Sequence, residues 1–245
     1  MNKILIIARK DISEAFRSRS TYVIILVMII LTFSYISGYE SYVKTLISQQ
    51  DIDTYSRGFL NNLTYVLPMM FSIFICSVFS NYAVIVDKAK RNIESLMATP
   101  VSIKQIWLGK SLAVTMPSLM IGYAVAILSY LVMAIWFVMP KTNSFIFPSV
   151  LAIISDLVIV PMLVFVIVCI VTYIQLIITN PRIASFVFSG IYLLLLFGVN
   201  VLGGFGISRN YLALIYLAMT ILCAITNYFL SFHLTKEKVL LSSKM

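Results

Sequence analysis

Charge is what this sequence has least of. Only 11% of its 245 residues are charged and 61% are hydrophobic, whereas a soluble domain is nearer a quarter charged and half apolar. A water-soluble fold of this length has too little interior to hide so much apolar surface, while lipid accepts it. Histidine occurs once, at His233, and the three cysteines, Cys76, Cys169 and Cys223, stand far apart in apolar runs. With no C-x-x-C pair and no His/Cys cluster there is no basis for a zinc site or a disulfide framework. The nine glycines never gather into a phosphate-cradling loop. Gly109-Lys110-Ser111 has the ending of one, but its required first glycine would fall at Lys104. H-E-x-x-H and G-x-S-x-G are absent too, and the apolar runs carry almost no ionisable groups for intramembrane chemistry. The chain reads as a non-enzyme with no metal and no cofactor of its own.

What is present is a succession of apolar runs, each near the twenty residues a helix needs to cross the hydrocarbon core. They cover Tyr22–Tyr39, Leu63–Val86, Ser111–Met139, Val150–Ile178, Ser185–Val201 and Tyr211–Phe232. The first follows twenty residues with five basic side chains and ends in Ser37-Gly38-Tyr39-Glu40, so it reads as a retained span rather than a cleaved signal. Pro117 and Pro161 are expected kink sites, lacking the N–H that bonds one turn back. Asp156 is the only acidic residue inside a run, and it is expected to face water at the outer surface.

Lysine and arginine alternate in density between the runs: five, two, five, one, one, one and three from N- to C-terminus. That puts fourteen on one side and four on the other, and the richer side is expected to be cytoplasmic. The expectation is therefore an all-α polytopic membrane protein with six transmembrane helices and both termini in the cytoplasm. It forms one domain over 1–245, with an interfacial segment at 1–20, a loop at 87–110 and a cytoplasmic tail at 233–245. The net charge of +9 is spread over short connectors and makes no phosphate-tracking face, so no nucleic-acid partner is expected.

Two cytoplasmic segments carry pattern. In Asn2–Ser18, Ile4, Ile7, Ala8, Ile12, Ala15 and Phe16 recur at three- and four-residue spacing, with Arg9, Lys10, Glu14 and Arg17 elsewhere. That predicts a helix lying on the membrane interface beside anionic lipid headgroups. In the loop, charged helix formers should prolong the second span until Pro100 stops the helix around Ala98 or Thr99. Ser102 and Gln105 have the spacing of a capping box. Ile103, Ile106 and Trp107 then share one face opposite Lys104 and Gln105, which predicts a short amphipathic helix bent back toward the membrane, able to dock into a partner's groove.

Glu94, Leu96, Thr99-Pro100-Val101-Ser102 and Gly109-Lys110 follow the pattern Glu-x-Leu-x-x-Thr-Pro-Val-Ser with a downstream Gly-Lys. Ala8-Arg9-Lys10-Asp11 and Arg17-Ser18-Arg19 precede the first span. In these residues the chain resembles the membrane-spanning permease subunit of an ATP-binding-cassette (ABC) transporter, in the type-2 exporter permease class. The resemblance implies a multi-pass plasma-membrane exporter subunit that pairs with a second permease copy or a homologous permease. It also implies a separate ABC ATPase subunit, where ATP and magnesium would reside. Carried over, Glu94, Thr99, Pro100, Ser102, Gln105 and Trp107 form the coupling element. Two features depart from the family: Lys88-Ala89-Lys90-Arg91-Asn92 stands where an acidic, glycine-containing stretch is common, and Asn200–Asn210 is short for a re-entrant outer hairpin.

Uncharged polar residues remain inside the spans. Ser34, Asn81, Ser118, Gln175, Asn200 and Asn227 are the pathway candidates, although such groups, Thr32 among them, more often join helices. Two other functions stay open: a membrane scaffold or sensor that holds a soluble partner, and an ion-coupled secondary transporter.

Overall fold

Long runs without a stop signal become long helices. The computed structural model describes residues 3–16, 19–45, 49–90, 92–178, 190 and 210–243, and the secondary structure among them is all helical. α1 is Lys3–Phe16, α2 is Arg19–Val43 and α3 is Gln49–Ser80, which continues through a π-turn at Asn81–Val86 to Asp87–Ala89. α4 (Asn92–Ala98) is a short helix in the following loop. α5 is Ile103–Val132, prolonged through a second π-turn, Met133–Val138, to Met139–Thr142. α6 starts at Val150–Ile154, passes a third π-turn at Ser155–Ile159 and runs on as Val160–Ile177. α7 is Asn210–His233 and α8 is Lys236–Ser243.

Among the described residues, four stretches are long and apolar enough to cross a membrane: Asp51–Val86, Ile103–Thr142, Val150–Ile177 and Tyr211–His233. A shorter apolar stretch, Ile25–Ser41, lies within α2. The expected fifth span, Ser185–Val201, falls outside the described residues except for Gly190. The exterior is oily: Leu26, Ile30 and Phe33 on α2, Met120 and Trp136 along α5 and its extension, and Leu222 and Phe229 on α7 are all exposed. Such a surface is compatible with a membrane location.

α3 and α5 form the central pair, with α6 against both and α7 on α6. The α3–α5 crossing is close because Gly122 has no side chain: a Cβ there would stand 2.5 Å from Ser72 Oγ and 2.8 Å from the Ser72 backbone nitrogen. Uncharged polar pairs join the helices, namely Ser111 Oγ to Thr172 Oγ1 (2.7 Å), Ser80 Oγ to Gln175 Oε1 (2.5 Å) and Thr32 Oγ1 to Ser129 Oγ (3.0 Å). In an apolar bundle, hydrogen bonds of this kind specify which helix faces meet.

Several expectations about helix bounds change. α3 begins at Gln49, well before Leu63, so most of the expected first loop is helix. Its early turns bury Ser56 and Leu60, and Ser56 hydrogen-bonds Tyr39 Oη at 2.7 Å, which holds the end of α2. The helix after α3 does not reach Pro100 in one piece, because Lys90 breaks it at φ −85°, ψ 2°. The short amphipathic helix expected after Ser102 is not separate either: the helix that starts at Ile103 runs on as α5. Nothing between Trp107 and Ser111 stops a helix, and the charge at Lys110 is neutralised from elsewhere, as described below. Pro117 lies inside α5 without ending it, whereas Pro161 stands two residues after the end of a π-turn, an irregularity that suits a residue without an N–H. The tail also folds in part: α8 buries Val239 and contacts α4 and α6.

Candidate functional site

The loop between α3 and α5 is built as a corner. α4 ends at Ala98, where Thr99 Oγ1 and the Thr99 N–H both donate to the Leu96 carbonyl, and the Val101 N–H donates to the Thr99 carbonyl at 2.8 Å. Ser102 then opens α5 with the expected capping box: the Gln105 N–H donates to Ser102 Oγ (3.3 Å) and the Ser102 N–H to Gln105 Oε1 (3.1 Å). Both groups satisfy backbone donors that the first turn would otherwise leave free. Thr99, Pro100 and Ser102 are exposed, while Glu94 and Gln105 are half-buried. These five residues of the expected coupling element share one corner.

Trp107 does not share that surface. It is buried against α6, donating Nε1–H to the Cys169 carbonyl at 2.8 Å, with its ring edge-on to Tyr173 at 6.4 Å. A buried indole needs such an acceptor. Its place is to fix the first turns of α5 to α6.

One turn further in lies a group that the sequence marks only as part of a motif and as one of the basic residues of the loop. Lys110 is fully buried. Its ammonium donates to Asp87 Oδ2 at 2.6 Å, to Asp11 Oδ2 at 3.2 Å and, by a short contact, to the Ala83 carbonyl. The three donors of an ammonium thus have three acceptors. Each acceptor comes from a different place: Asp11 from α1, Asp87 from the end of α3, and Ala83 from the π-turn, whose carbonyls leave the ordinary ladder. Asn92 Nδ2 donates to Asp87 Oδ1 at 3.0 Å, which ties α4 to the same cluster. α1 is therefore packed into the bundle. Its buried face is Ile7, Ala8 and Asp11, packed on α5 and the π-turn, while Leu5 and Ile6 are exposed.

The two carboxyls differ. Burial pushes Asp11 above the usual carboxylate range; Lys110 opposes that shift and the Asp87 charge adds to it. Burial also pushes Asp87 up, but the charge and hydrogen bond of Lys110, the Asn92 hydrogen bond and the charge of Lys10 more than offset it, and Asp87 ends below that range. Asp87 is the firm anion of the cluster. Beside it, Lys88 donates to the Ile178 carbonyl at 2.9 Å, a cation at the C-terminal end of α6. Burial lowers the Lys88 ammonium to about 8. Lys236 Nζ meets the Met97 carbonyl at 3.4 Å, and Lys104 lies over the Phe232 ring at 5.5 Å, so the C-terminal segment borders the corner as well.

The pathway candidates do not converge. Ser34 is exposed on α2, and Asn81 is half-buried at the start of the first π-turn. Ser118 is buried and bonds the Val114 carbonyl of its own helix (2.7 Å), and Gln175 is held by Ser80. Asn227 donates to the Val166 carbonyl at 2.8 Å, joining α7 to α6, and Asn200 lies outside the described residues. Gln175 and Asn227 join helices, and Ser118 is engaged within its own. Among the described residues, no group of three or more His, Cys, Asp or Glu side chains could hold a metal ion.

No protein-family model matches the chain, and no curated protein matches it.

Proposed function

We propose that this chain is the permease subunit of an ABC transporter, working as an exporter in the plasma membrane as one of a pair of such subunits. In this reading all six apolar runs cross the membrane, both termini are cytoplasmic, and the energy comes from a separate ATPase that docks on the corner at Glu94–Gln105. One observation carries the reading: an exposed, capped corner stands directly on a buried ion cluster. A push on Thr99–Ser102 would reach Lys110 along about 12 Å of continuous helix, and from Lys110 it meets α1, α3 and α4 at once. Trp107 extends the same rigid unit to α6. A partner that moves the corner would thus move most of the bundle, as an external motor requires.

The test is co-purification of the tagged chain from its native host in mild detergent, alongside a Thr99→Arg, Pro100→Ala variant. Both changes are at exposed positions and leave the capping box in place. A nucleotide-binding subunit that is recovered with the wild type and lost with the variant supports the proposal. Recovery of a different soluble protein, with no ATPase in any detergent, favours a scaffold. The ion-coupled alternative gains one observation: Asp156, expected to face water, is only 7% exposed. It requires uptake or efflux that follows an ion gradient and fails in Asp156→Asn.

A further inference from the structure

Toward the end of the bundle away from the corner, α3, α5 and α6 enclose a cavity of about 210 Å³. Leu63, Leu67, Ala126 and Ile153 make its walls apolar. Its polar side chains are four. Three are hydroxyls already engaged with backbone carbonyls: Thr64 with Leu60 (3.0 Å), Tyr130 with Ile146 (2.8 Å) and Tyr123 with Asp156. The fourth is the Asp156 carboxyl. It is 93% buried, its Oδ1 has no hydrogen-bond partner among the described residues, and it is in none of their ion pairs. It lies in the third π-turn, which packs against α3 and α7 and whose Asp156 carbonyl accepts from Tyr123 of α5. The cavity is open sideways, since Ile127 and Leu157 at its edge are 57% and 66% exposed.

A buried carboxyl with no partner is costly, and a cation beside it removes that cost. The faces of Tyr123 and Tyr130 also favour positive charge. The rest of the wall accepts only hydrocarbon. An apolar cavity of about 150 Å³ already holds benzene, so this one has room for a segment of aliphatic chain. Drug-sized ligands need about 300 Å³ or more, and the remainder of a longer chain would leave through the open side. Asp156 lies six residues after Val150, about 9 Å along the helix, so a head group bound there stays near the helix end. We propose that this cavity is a binding site for an amphiphilic amine, with an alkyl chain along the Leu63–Leu67 and Ala126 walls and its ammonium on the Asp156 carboxylate. The site stands apart from the corner and does not rest on the transporter reading.

The experiment uses the purified full chain in phosphatidylcholine nanodiscs, with a diazirine-bearing dodecylamine as photoprobe and peptide mapping of the adducts. Dodecylamine and dodecanol compete in parallel. Adducts are expected on the cavity walls of α3, α5 and α6, and dodecylamine should displace the probe at concentrations at least about tenfold lower than dodecanol, a difference one ion pair readily supplies. Asp156→Asn should abolish that preference, and Ala126→Leu, which keeps the carboxylate and fills the slot, should suppress labelling by amine and alcohol probes alike. Repeating the assay in phosphatidylethanolamine nanodiscs separates two sources of the same chemistry: protection there assigns the site to an amine-headed lipid, and undiminished labelling assigns it to a single-chain amine. Equal competition by dodecanol and dodecylamine on the wild type overturns the proposal, whatever the variants do, as does wall labelling unchanged in Ala126→Leu.

Discussion

Replacing Lys110 with methionine keeps the length and apolar stem of the side chain and removes only the ammonium. Two carboxyls whose side chains are 4% and 3% exposed then face each other without a cation. Breaking a buried ion pair from one side costs about 3–5 kcal/mol, because the surviving charge is stranded. Here both survivors are stranded in one place, so the loss should reach the upper part of that range unless a carboxyl takes up a proton. That escape makes the pH profile the decisive measurement. In the wild type, the depressed Asp87 supplies stability that is complete above the ordinary carboxylate range and is lost as pH falls through its lower folded value. Asp11, raised in the fold, acts in the opposite sense: it costs stability above its folded value, and that cost is relieved as pH falls through the folded value toward the ordinary carboxylate range. With Lys110 gone, both carboxyls are raised, the folded chain binds more protons than the unfolded one, and stability should increase as pH is lowered from 8 to 5.

The assay is unfolding of the purified chain in micelles, by heat and by a denaturing detergent, followed by circular dichroism at several pH values. A triple variant, Asp11→Asn, Asp87→Asn, Lys110→Met, removes all three charges and should recover at least half of the loss, since a buried ion group replaced as a whole is often nearly neutral. A loss in Lys110→Met below about 1 kcal/mol, the size found for exposed pairs, would refute the picture of a dry, coupled cluster. So would a triple variant no more stable than the single one, or a Lys110→Met profile parallel to that of the wild type.

Gly122→Ala should destabilise by about 1–3 kcal/mol, the usual cost of overpacking, because the new Cβ meets the Ser72 backbone as well as its hydroxyl, so that turning the side chain away does not relieve the contact; the same unfolding assay measures it. Trp107→Phe should cost about 1 kcal/mol by removing one hydrogen bond to a Cys169 carbonyl that keeps the Thr172 hydroxyl as a donor, and if an ATPase co-purifies with the chain, rescue of half or more of that co-purification by a stabilising second-site change would show that Trp107 braces the corner and does not touch the partner. Lys88, lowered in the fold to about 8 by burial, leaves the folded chain with fewer protons than the unfolded one between about pH 8 and 10.5. The difference in stability between the wild type and Lys88→Met should therefore shift in favour of the wild type as pH rises across that window, the other titrating groups being common to both, a comparison that fails if the two curves are parallel.

How much of this was legible in the sequence depends on whether the signal was local. The capping box at Ser102 and Gln105, the stop before Pro100 and the helical pattern of α1 all rest on residues within one or two turns of each other, and each is found in the structure. The four long apolar helices fall close to four of the expected runs for the same reason, hydrophobic length being a property of contiguous residues. The start of α3 was missed because Gln49–Asn62 is polar enough to pass for a loop; its helix is held by Tyr39, outside the segment. The separate amphipathic helix after Ser102 was expected because Lys110 looked like the edge of a span. Counting lysines by segment treats each as a marker of the water side, and that assumption fails wherever a lysine has its own acids. Those acids are 23 and 99 residues away in sequence, beyond any periodicity. Asp156 was misjudged in the same way: alone in its run, it suggested water, but it is buried in a π-turn that packs against α3 and α7. In a chain this poor in charge, each buried ionic group is a departure from the rule that organises everything else, so the departures mark the places where the helices are specified against one another. Asp11, Asp87 and Lys110 at one end, and Asp156 at the other, are where function should be sought first.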